Sequence, residues 1–310
     1  MIIENTIKQA SELLKNKNIC TYQLDAELLL SEIMNVKREF LIVNNQLNIP
    51  KNIIKKYNLA ISRRVKREPV AYIIGKKEFW SKNFLVNKKT LIPRPETELL
   101  IYKVIDFFKN KKINILDIGT GSGCILLSII IELNNSKGIG IDISQEAVRI
   151  ARLNSKNLNL LSRSKFKVCD INDYNIGKYD LIVSNPPYIP SGDIKNLDKD
   201  IINYEPIAAL DGGQDGLDLI KKVIYKSSNL LKKSGLLALE IGEGQYRVVT
   251  GILKRNKFRE ISKEYDNNQN VRCIISTKYV YFINLKLLFW QTNLLMNKIK
   301  QILYRNKVFQ

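Results

Sequence analysis

The residues whose types best suit chemistry are Asn185-Pro186-Pro187-Tyr188, which come just after the apolar run Tyr179 to Val183. The Asn185 side-chain carbonyl can accept one N–H of a bound substrate, and its amide can make further hydrogen bonds. A backbone carbonyl of the proline pair can accept a second N–H, because proline has a fixed φ and no N–H of its own. Tyr188 offers a flat face on which a planar group can stack. The set suits methylation of a nitrogen on an sp2 carbon, a poor nucleophile that needs positioning and electrostatic help but no metal.

A glycine-rich segment lies upstream of this motif. The apolar run Ile113 to Ile118 leads into Gly119-Thr120-Gly121-Ser122-Gly123, and a helical pattern follows from Cys124 to Leu133. In a strand, glycine turn and helix of this kind, backbone N–H groups and a helix N-terminus can approach a ligand closely. The alternatives are a plain tight turn and an NAD site, since glycine loops serve several cofactors.

A carboxylate follows the glycine loop at a suggestive distance. Asp142 ends a second predicted strand, 23 residues after Gly119. This spacing suits a carboxylate that accepts hydrogen bonds from both ribose hydroxyls of a nucleoside cofactor, although a helix cap before Ser144 is an alternative. Together with the Asn185 motif, the loop and Asp142 indicate S-adenosylmethionine, whose sulfonium methyl group would lie beside Asn185.

The composition excludes several kinds of site and favours a cytoplasmic enzyme. The chain has 310 residues and no histidine, so a Ser-His-Asp triad, a histidine general base and histidine-ligated metals are excluded. No signal peptide is apparent at the N-terminus. The cysteines form no CxxC pair, so neither a zinc ribbon nor a disulfide framework is predicted: Cys20, Cys124, Cys169 and Cys273.

The positive charge of the chain is concentrated at its ends. The formal net charge is +20, and residues 1–90 alone hold 17 Lys/Arg against 8 Asp/Glu. The basic N-terminal surface either docks a partner attached to RNA or is a solvated surface that reflects an AT-biased genome.

The hydrophobic pattern predicts an α/β fold with a smaller helical part. Residues 1–68 have the spacing of short amphipathic helices, and Val70 to Arg94 alternate as in a β-hairpin with turns at Gly75 and Asn87. Strands and helices then alternate from Asn114 to Ser276, which is typical of a parallel sheet. Strands are predicted near 113–118, 138–142, 165–169, 179–184, 235–241, 258–263 and 271–276. Helices are predicted near 95–109, 123–134, 144–157, 215–232 and 244–256.

In the order and spacing of its motifs, the chain resembles the release factor glutamine methyltransferases, the HemK or PrmC proteins, over roughly residues 5–276. The matching segments are Glu68 to Gly75, Leu91 to Glu98, Leu116 to Gly123, Gly140 to Ser144, Asn185 to Tyr188 and Tyr204 to Gly213. The resemblance implies methylation, by S-adenosylmethionine, of the side-chain amide nitrogen (N5) of the glutamine in the Gly-Gly-Gln motif of class 1 peptide chain release factors.

The family resemblance also implies a domain organisation. A helical substrate-docking domain (1–68) and a β-hairpin linker (69–92) would precede a Rossmann-like, seven-stranded methyltransferase domain (93–278) whose last strand is antiparallel. A monomer is expected, with no direct nucleic-acid partner.

Roles for individual residues follow from the same resemblance. Asn185 and the Pro186 carbonyl would bind the substrate amide, Tyr188 would pack beside it, and Pro187 completes that motif. Arg94 and Glu96 would border the site, or serve only as the N-terminal turn of a helix. The cofactor would be held by Gly119, Thr120, Gly121, Ser122, Gly123, Asp142, Asp170, Ile171 and Asn185. Cys169 stands where the family usually has glycine before Asp170.

Residues 279–310 depart from the family as an atypical basic, amphipathic tail. Lys286 interrupts its apolar run, so a membrane span is not expected. A helix docked on the body, a decayed extension and a membrane-surface helix remain open.

Three other functions fit parts of the sequence. A ribosomal protein glutamine methyltransferase would share all but the docking domain. An adenine N6-methyltransferase would need a base-flipping pocket, which residues 1–90 do not suggest. An inactive adaptor would not need the intact glycine loop, Asp142 and Asn185.

Overall fold

A computed structural model describes residues 1–279, so the expectations for residues 280–310 lie outside the described residues. Five helices come first: α1 Ile3–Lys15, α2 Tyr22–Met34, α3 Arg38–Val43, α4 Lys51–Val65 and α5 Val70–Ile74. They enclose a core of their own around Leu14, Leu29 and Leu30, and the Tyr57 hydroxyl donates to the Ala26 carbonyl inside it at 3.1 Å.

The prediction of a hairpin from Val70 onward is wrong for its first residues. Val70–Ile74 form helix α5, which begins after Pro69 and ends at Gly75, whose φ is +84°. Proline before the first turn and glycine in the left-handed conformation after the last are the ordinary boundaries of a helix. The hairpin is shorter than expected, pairing β1 (Lys76–Phe79) with β2 (Lys82–Leu85). Its turn lies at Trp80 and Ser81, which both have positive φ.

The seven-stranded Rossmann-like sheet is confirmed. Its order is β5-β4-β3-β6-β7-β9-β8, and β9, the last strand of the described residues, runs antiparallel to both its neighbours. The strands are β3 Asn114–Ile118, β4 Lys137–Asp142, β5 Ser164–Val168, β6 Tyr179–Ser184, β7 Leu231–Glu240, β8 Phe258–Tyr265 and β9 Val271–Lys278. The helices of this part are α6 Glu98–Phe108, α7 Cys124–Glu132, α8 Gln145–Asn157, α9 Lys199–Ile202, α10 Asp218–Leu230 and α11 Tyr246–Arg255.

A hydrophobic core covers each face of the sheet. One contains Leu126, Ile129 and Phe166, and the other contains Ile118, Ile182 and Leu237. Because β3, β4, β5 and β6 are parallel neighbours, their carboxyl ends lie side by side at one edge of the sheet. Ligands bind at this edge in open α/β sheets. Within residues 1–279, no helix has both the length and the apolarity that crossing a membrane requires.

Candidate active site

The glycine loop after β3 is built against β4. The backbone N–H groups of Gly119 and Thr120 both donate to the Ile141 carbonyl, at 2.9 and 3.0 Å. Gly121 has a φ of +55°, and a Cβ placed on it would meet no atom of the described residues within 4 Å. At Gly123 a Cβ would lie 3.1 Å from the Ala151 side chain, so this position is filled by packing. The loop therefore leaves open space at Gly121 and closes against the core at Gly123.

Asp142 is oriented by the backbone around it. Its Oδ2 accepts from the Gly121 N–H and its Oδ1 from the Ser144 N–H, both at 2.9 Å. Helix α8 is capped by Ser144 itself, whose Oγ accepts from the Ala147 N–H. Burial raises the Asp142 pKa, and the backbone N–H groups of Ser144 and Gly121 offset part of that shift. Each carboxylate oxygen keeps capacity for a further donor.

Asp117 is a second carboxyl in this loop, and it was not among the predicted site residues. It is fully buried on β3, and its Oδ2 accepts from the Thr120 hydroxyl at 2.6 Å. Its Oδ1 has no hydrogen-bond partner among residues 1–279. Burial raises the Asp117 pKa to about 7. Asp117 thus holds Thr120, and with it the shape of the loop. A carboxyl within an apolar strand is the sequence signal that marks it.

The residues after β5 lie next to Asp142. The Cys169 N–H donates to the Asp142 carbonyl at 2.9 Å. Asp170 is exposed and accepts from the Asn172 N–H, whereas Ile171 is buried in the core with Ile118. The side chain of Ile171 therefore belongs to the core, and the side chain of Asp170 faces outward.

The Asn185 motif borders a pocket of about 170 Å³ at the carboxyl end of β6. Ser184, the last residue of β6, donates to the Ile118 carbonyl at 2.7 Å and so ties this strand end to β3. Asn185 is half-buried, and its Nδ2 donates to the Thr97 hydroxyl at 3.2 Å. Among residues 1–279, no donor bonds to the Asn185 Oδ1 or to the Pro186 carbonyl. The pocket is lined by Leu91, Arg94, Asn185, Pro186, Pro187, Tyr188, Ile189, Leu197, Ile201, Ala209 and Leu210.

Tyr188 is held from both its ring and its hydroxyl. The Arg272 guanidinium lies 5.4 Å from the ring centroid, and its Nη2 donates to the Tyr188 hydroxyl at 2.9 Å. That hydroxyl in turn donates to Glu240 Oε1 at 3.4 Å. Burial, reinforced by the Glu240 charge, raises the Tyr188 pKa to about 12, so the phenol stays neutral.

Thr97 and Glu240 join the site from distant parts of the chain and were not predicted. Thr97 ends the 3₁₀ turn Pro95–Thr97 and is 2 % exposed, and Glu240 ends β7 and is 1 % exposed. Burial raises the Glu240 pKa to about 7, while the neighbouring Thr97 hydroxyl and the charge of Arg272 oppose the rise. The signal for Glu240 in the sequence is again a carboxylate inside an apolar strand.

Arg94 and Glu96 occupy different environments. Arg94 lines the pocket and pairs with Glu205 at 2.5 Å, and Glu205 also accepts from the Ile92 N–H. Glu96 is exposed. Within the segment Leu91 to Glu98, the residue that contacts Asn185 is Thr97.

The two predicted clusters thus meet at one sheet edge. The glycine loop, Asp142 and Asp170 follow three adjacent strands, and Asn185 follows the strand on the other side of β3. Within the described part of the chain, no group of acidic or cysteine side chains has the arrangement of a metal site. The arrangement offers hydrogen-bond acceptors to an N–H donor and an open backbone cradle beside them.

Comparisons with known proteins agree with this arrangement. Residues 5–75 match the PrmC N-terminal domain, and residues 109–306 match a methyltransferase domain. The release factor glutamine methyltransferase of Clostridium acetobutylicum is 37 % identical over 282 residues, covering 90 % of this chain and 99 % of the relative. That of Buchnera aphidicola subsp. Schizaphis graminum is 41 % identical over 249 residues, covering 80 % of this chain and 90 % of the relative.

A solved structure shares the fold. A methyltransferase from Pyrococcus furiosus is 18 % identical with a TM-score of 0.50, and the match covers 71 % of this chain and 98 % of that one.

Proposed function

The chain belongs to the family of release factor glutamine methyltransferases, and we propose that it methylates the N5 amide nitrogen of the glutamine in the Gly-Gly-Gln motif of class 1 release factors. The observation that carries the proposal is the pair of acceptors just after β6, the Asn185 Oδ1 and the Pro186 carbonyl, to which no donor among residues 1–279 bonds. A primary carboxamide has two N–H donors on one planar nitrogen, which is the group that two adjacent acceptors fit.

S-adenosylmethionine is the methyl donor of this family, and the described residues fit it. The space at Gly121, where a Cβ would meet nothing, leaves room for a ligand against the backbone. Asp142 is held by two backbone N–H groups and keeps lone pairs for two ribose hydroxyls. In the proposed assignment the donor is bound by Gly119, Thr120, Gly121, Ser122, Gly123, Asp142, Asp170, Ile171 and Asn185. When bound, it supplies an electrophilic methyl group on a sulfonium that leaves as a neutral thioether.

The side chains of this protein would act by orientation and electrostatics. The Asn185 Oδ1 and the Pro186 carbonyl accept the two N–H groups of the glutamine amide and hold its nitrogen toward the glycine loop. As the nitrogen gains positive charge in the transition state, both acceptor bonds strengthen, which is the differential binding that lowers a barrier. The product is a neutral N-methyl amide, so one N–H proton passes to water.

The helical residues 1–68 are assigned the docking of the release factor. Their positive charge would attract an acidic partner surface or one bound to RNA, mainly by speeding association. Residues 69–92 would link this docking domain to the methyltransferase domain, 93–278, in a chain that acts as a monomer. Peptide chain release takes place in the cytoplasm, so the reaction is placed there too.

The test is a transfer assay with the purified full chain and S-adenosylmethionine labelled on its methyl group. A class 1 release factor, ribosomal proteins and DNA are offered separately, and mass spectrometry locates the label. We expect label on the glutamine of Gly-Gly-Gln, and none when that glutamine is replaced by alanine. Label on a ribosomal protein or on adenine instead would overturn the proposal.

A further inference from the structure

A chain of polar side chains starts at Asn185 and includes three residues that do not line the pocket, Thr97, Glu240 and Arg272. The Asn185 Nδ2 donates to the Thr97 hydroxyl, Thr97 lies beside Glu240, and the Glu240 Oε1 accepts from the Tyr188 hydroxyl. Arg272 closes the chain by donating to Tyr188. The Glu240 Oε2 has no hydrogen-bond partner of regular geometry within residues 1–279, so the buried carboxyl has capacity for the Thr97 proton.

In this row of side chains, the direction of each hydrogen bond is set by the groups that can only donate or only accept. The Arg272 guanidinium only donates, so Tyr188 accepts from it and turns its own proton toward Glu240. An ionised carboxylate only accepts, so the Glu240 Oε2 is the acceptor that is available to the proton of the Thr97 hydroxyl. The Thr97 oxygen is then left as an acceptor, and the half of the Asn185 amide that can donate to it is Nδ2.

The orientation of the Asn185 amide decides what the substrate meets. With Nδ2 turned to Thr97, the Oδ1 is the atom left for the pocket. With the amide rotated by half a turn, the pocket would face an NH2 group, which cannot accept an N–H of the glutamine. Threonine alone cannot decide between these states, because a hydroxyl both donates and accepts.

We propose that Thr97 and Glu240 are positioning residues that fix the Asn185 amide with its acceptor oxygen toward the substrate. The inference rests on the proposed transfer to a glutamine amide. Neither side chain touches the substrate: Thr97 acts through Asn185, and Glu240 acts through Thr97. Both are buried, so the arrangement is held by packing as well as by hydrogen bonds.

The test compares Thr97→Val, which keeps the shape of the side chain and removes its hydroxyl, with Thr97→Ser, which keeps the hydroxyl. Thr277→Val is the matched control, because the Thr277 hydroxyl also donates a hydrogen bond, to the Gly235 carbonyl, but lies on β9 beside Leu236, away from the strand ends that carry the site. Assays at pH 8.5 keep Glu240 ionised, since its pKa is raised to about 7. The measurements are kcat and KM for methylation of a release factor, and the Kd for S-adenosylmethionine by calorimetry.

We expect Thr97→Val to lower kcat roughly ten- to a hundredfold, because a misplaced reacting group costs that much. The Kd for S-adenosylmethionine should stay within about threefold of the wild-type value, since its main contacts are on β3 and β4. Thr97→Ser should restore most of kcat, and Thr277→Val should leave it unchanged. Glu240→Gln should also lower kcat. The amide of the new glutamine can donate to the Thr97 hydroxyl, which can then donate to Asn185 and allow the rotated orientation of the Asn185 amide. A wild-type kcat in Thr97→Val, or a serine variant as impaired as the valine variant, would overturn the inference.

A readout without substrate separates this inference from the proposed function. In protein labelled with 15N at asparagine, the side-chain NH2 signals of Asn185 are identified by their loss in Asn185→Ala. We expect these signals to shift in Thr97→Val and Glu240→Gln but not in Thr277→Val. If the wild-type chain methylates no release factor, the proposed function fails, whereas unshifted Asn185 signals would refute the positioning role by themselves.

Discussion

Arg64, on the last turn of α4, donates at 2.6 Å to Asp200, in the short helix α9 of the loop that forms one wall of the pocket beside Asn185. The same guanidinium donates to Asp25 on α2 at 2.7 Å, and only 6 % of the Arg64 side chain is exposed. Nearby, the Tyr204 hydroxyl donates to the Lys66 carbonyl. The helices at the N-terminus are therefore bonded to the segment that places Leu197 and Ile201 beside Asn185.

This contact predicts that the helical domain stabilises the pocket, in addition to any role in docking the release factor. Asp200→Asn keeps the size of the side chain but weakens its bond to Arg64. We expect about a threefold to thirtyfold loss of transfer to both an intact release factor and a short Gly-Gly-Gln peptide, since a charge-assisted bond contributes about 1.5–3 kcal/mol and part of it remains. Kinetics on the two substrates measure this loss.

The control for Asp200 is Asp198→Asn, on the same loop. Asp198 is exposed and makes no side-chain hydrogen bond at the start of α9. It should behave as wild type. A loss confined to the intact release factor in Asp200→Asn would instead make the contact part of a docking surface.

Asn185→Ala should separate methyl transfer from cofactor binding. The side chain contributes the acceptor for the substrate amide, so we expect transfer to fall at least about a hundredfold, the scale of losing one preorganised group at developing charge. Calorimetry should find the affinity for S-adenosylmethionine nearly intact. A loss of affinity as large as that caused by Gly121→Val would show that Asn185 acts mainly on the cofactor.

Asp142→Asn should weaken the binding of S-adenosylmethionine. Asparagine loses the charge and one of the acceptor oxygens that receive the Gly121 and Ser144 N–H groups. A charge-assisted bond contributes about 1.5–3 kcal/mol, so the Kd should rise roughly ten- to a hundredfold with little change in rate at saturation. Asp170→Asn, at an exposed carboxylate, should raise it less. Equal effects of the two variants would contradict the special role of Asp142.

Glu240 should make the stability of the protein depend on pH. Burial raises its pKa from an ordinary value near 4.5 to about 7, so the folded state holds the proton more tightly than the unfolded state. The favourable contribution is complete below pH 4.5 and is lost as the pH rises through about 7, so the free energy of unfolding falls over that window. Asp117, with its pKa also raised to about 7 by burial, acts in the same sense.

Glu240→Gln removes the titratable carboxyl group that makes the free energy of unfolding depend on pH. Urea unfolding at pH 5 and pH 8.5 should show that the variant loses less stability between the two values than the wild-type protein does, by roughly 1–3 kcal/mol. The exposed Glu39→Gln serves as control and should keep the wild-type slope. An unchanged slope in Glu240→Gln would mean that Glu240 is ionised throughout this range.

Most of the fold could be predicted from the sequence because its signals are local. The apolar runs gave β3 to β9 close to their observed bounds, and the α/β alternation predicted a parallel sheet. The glycine loop and the Asn185 motif are contiguous, and parallel strands must bring their carboxyl ends to one edge. Helix α5 was missed because five residues between Pro69 and Gly75 are too few for a helical period to appear.

Only the tertiary structure decided which distant residues complete the site. Thr97, Asn185 and Glu240 lie 88 and 55 residues apart, and they meet because α6, which follows Thr97, packs against β7, the neighbour of β6 in the sheet. Arg64 and Asp200 are 136 residues apart and meet across the two parts of the chain. Periodicity and turn preferences act over a few residues. They therefore predict where each helix or strand lies along the chain, but not which elements pack beside it in space. The acceptor that the substrate meets depends on those neighbours, since a buried carboxylate on β7 decides which way an amide on β6 can turn.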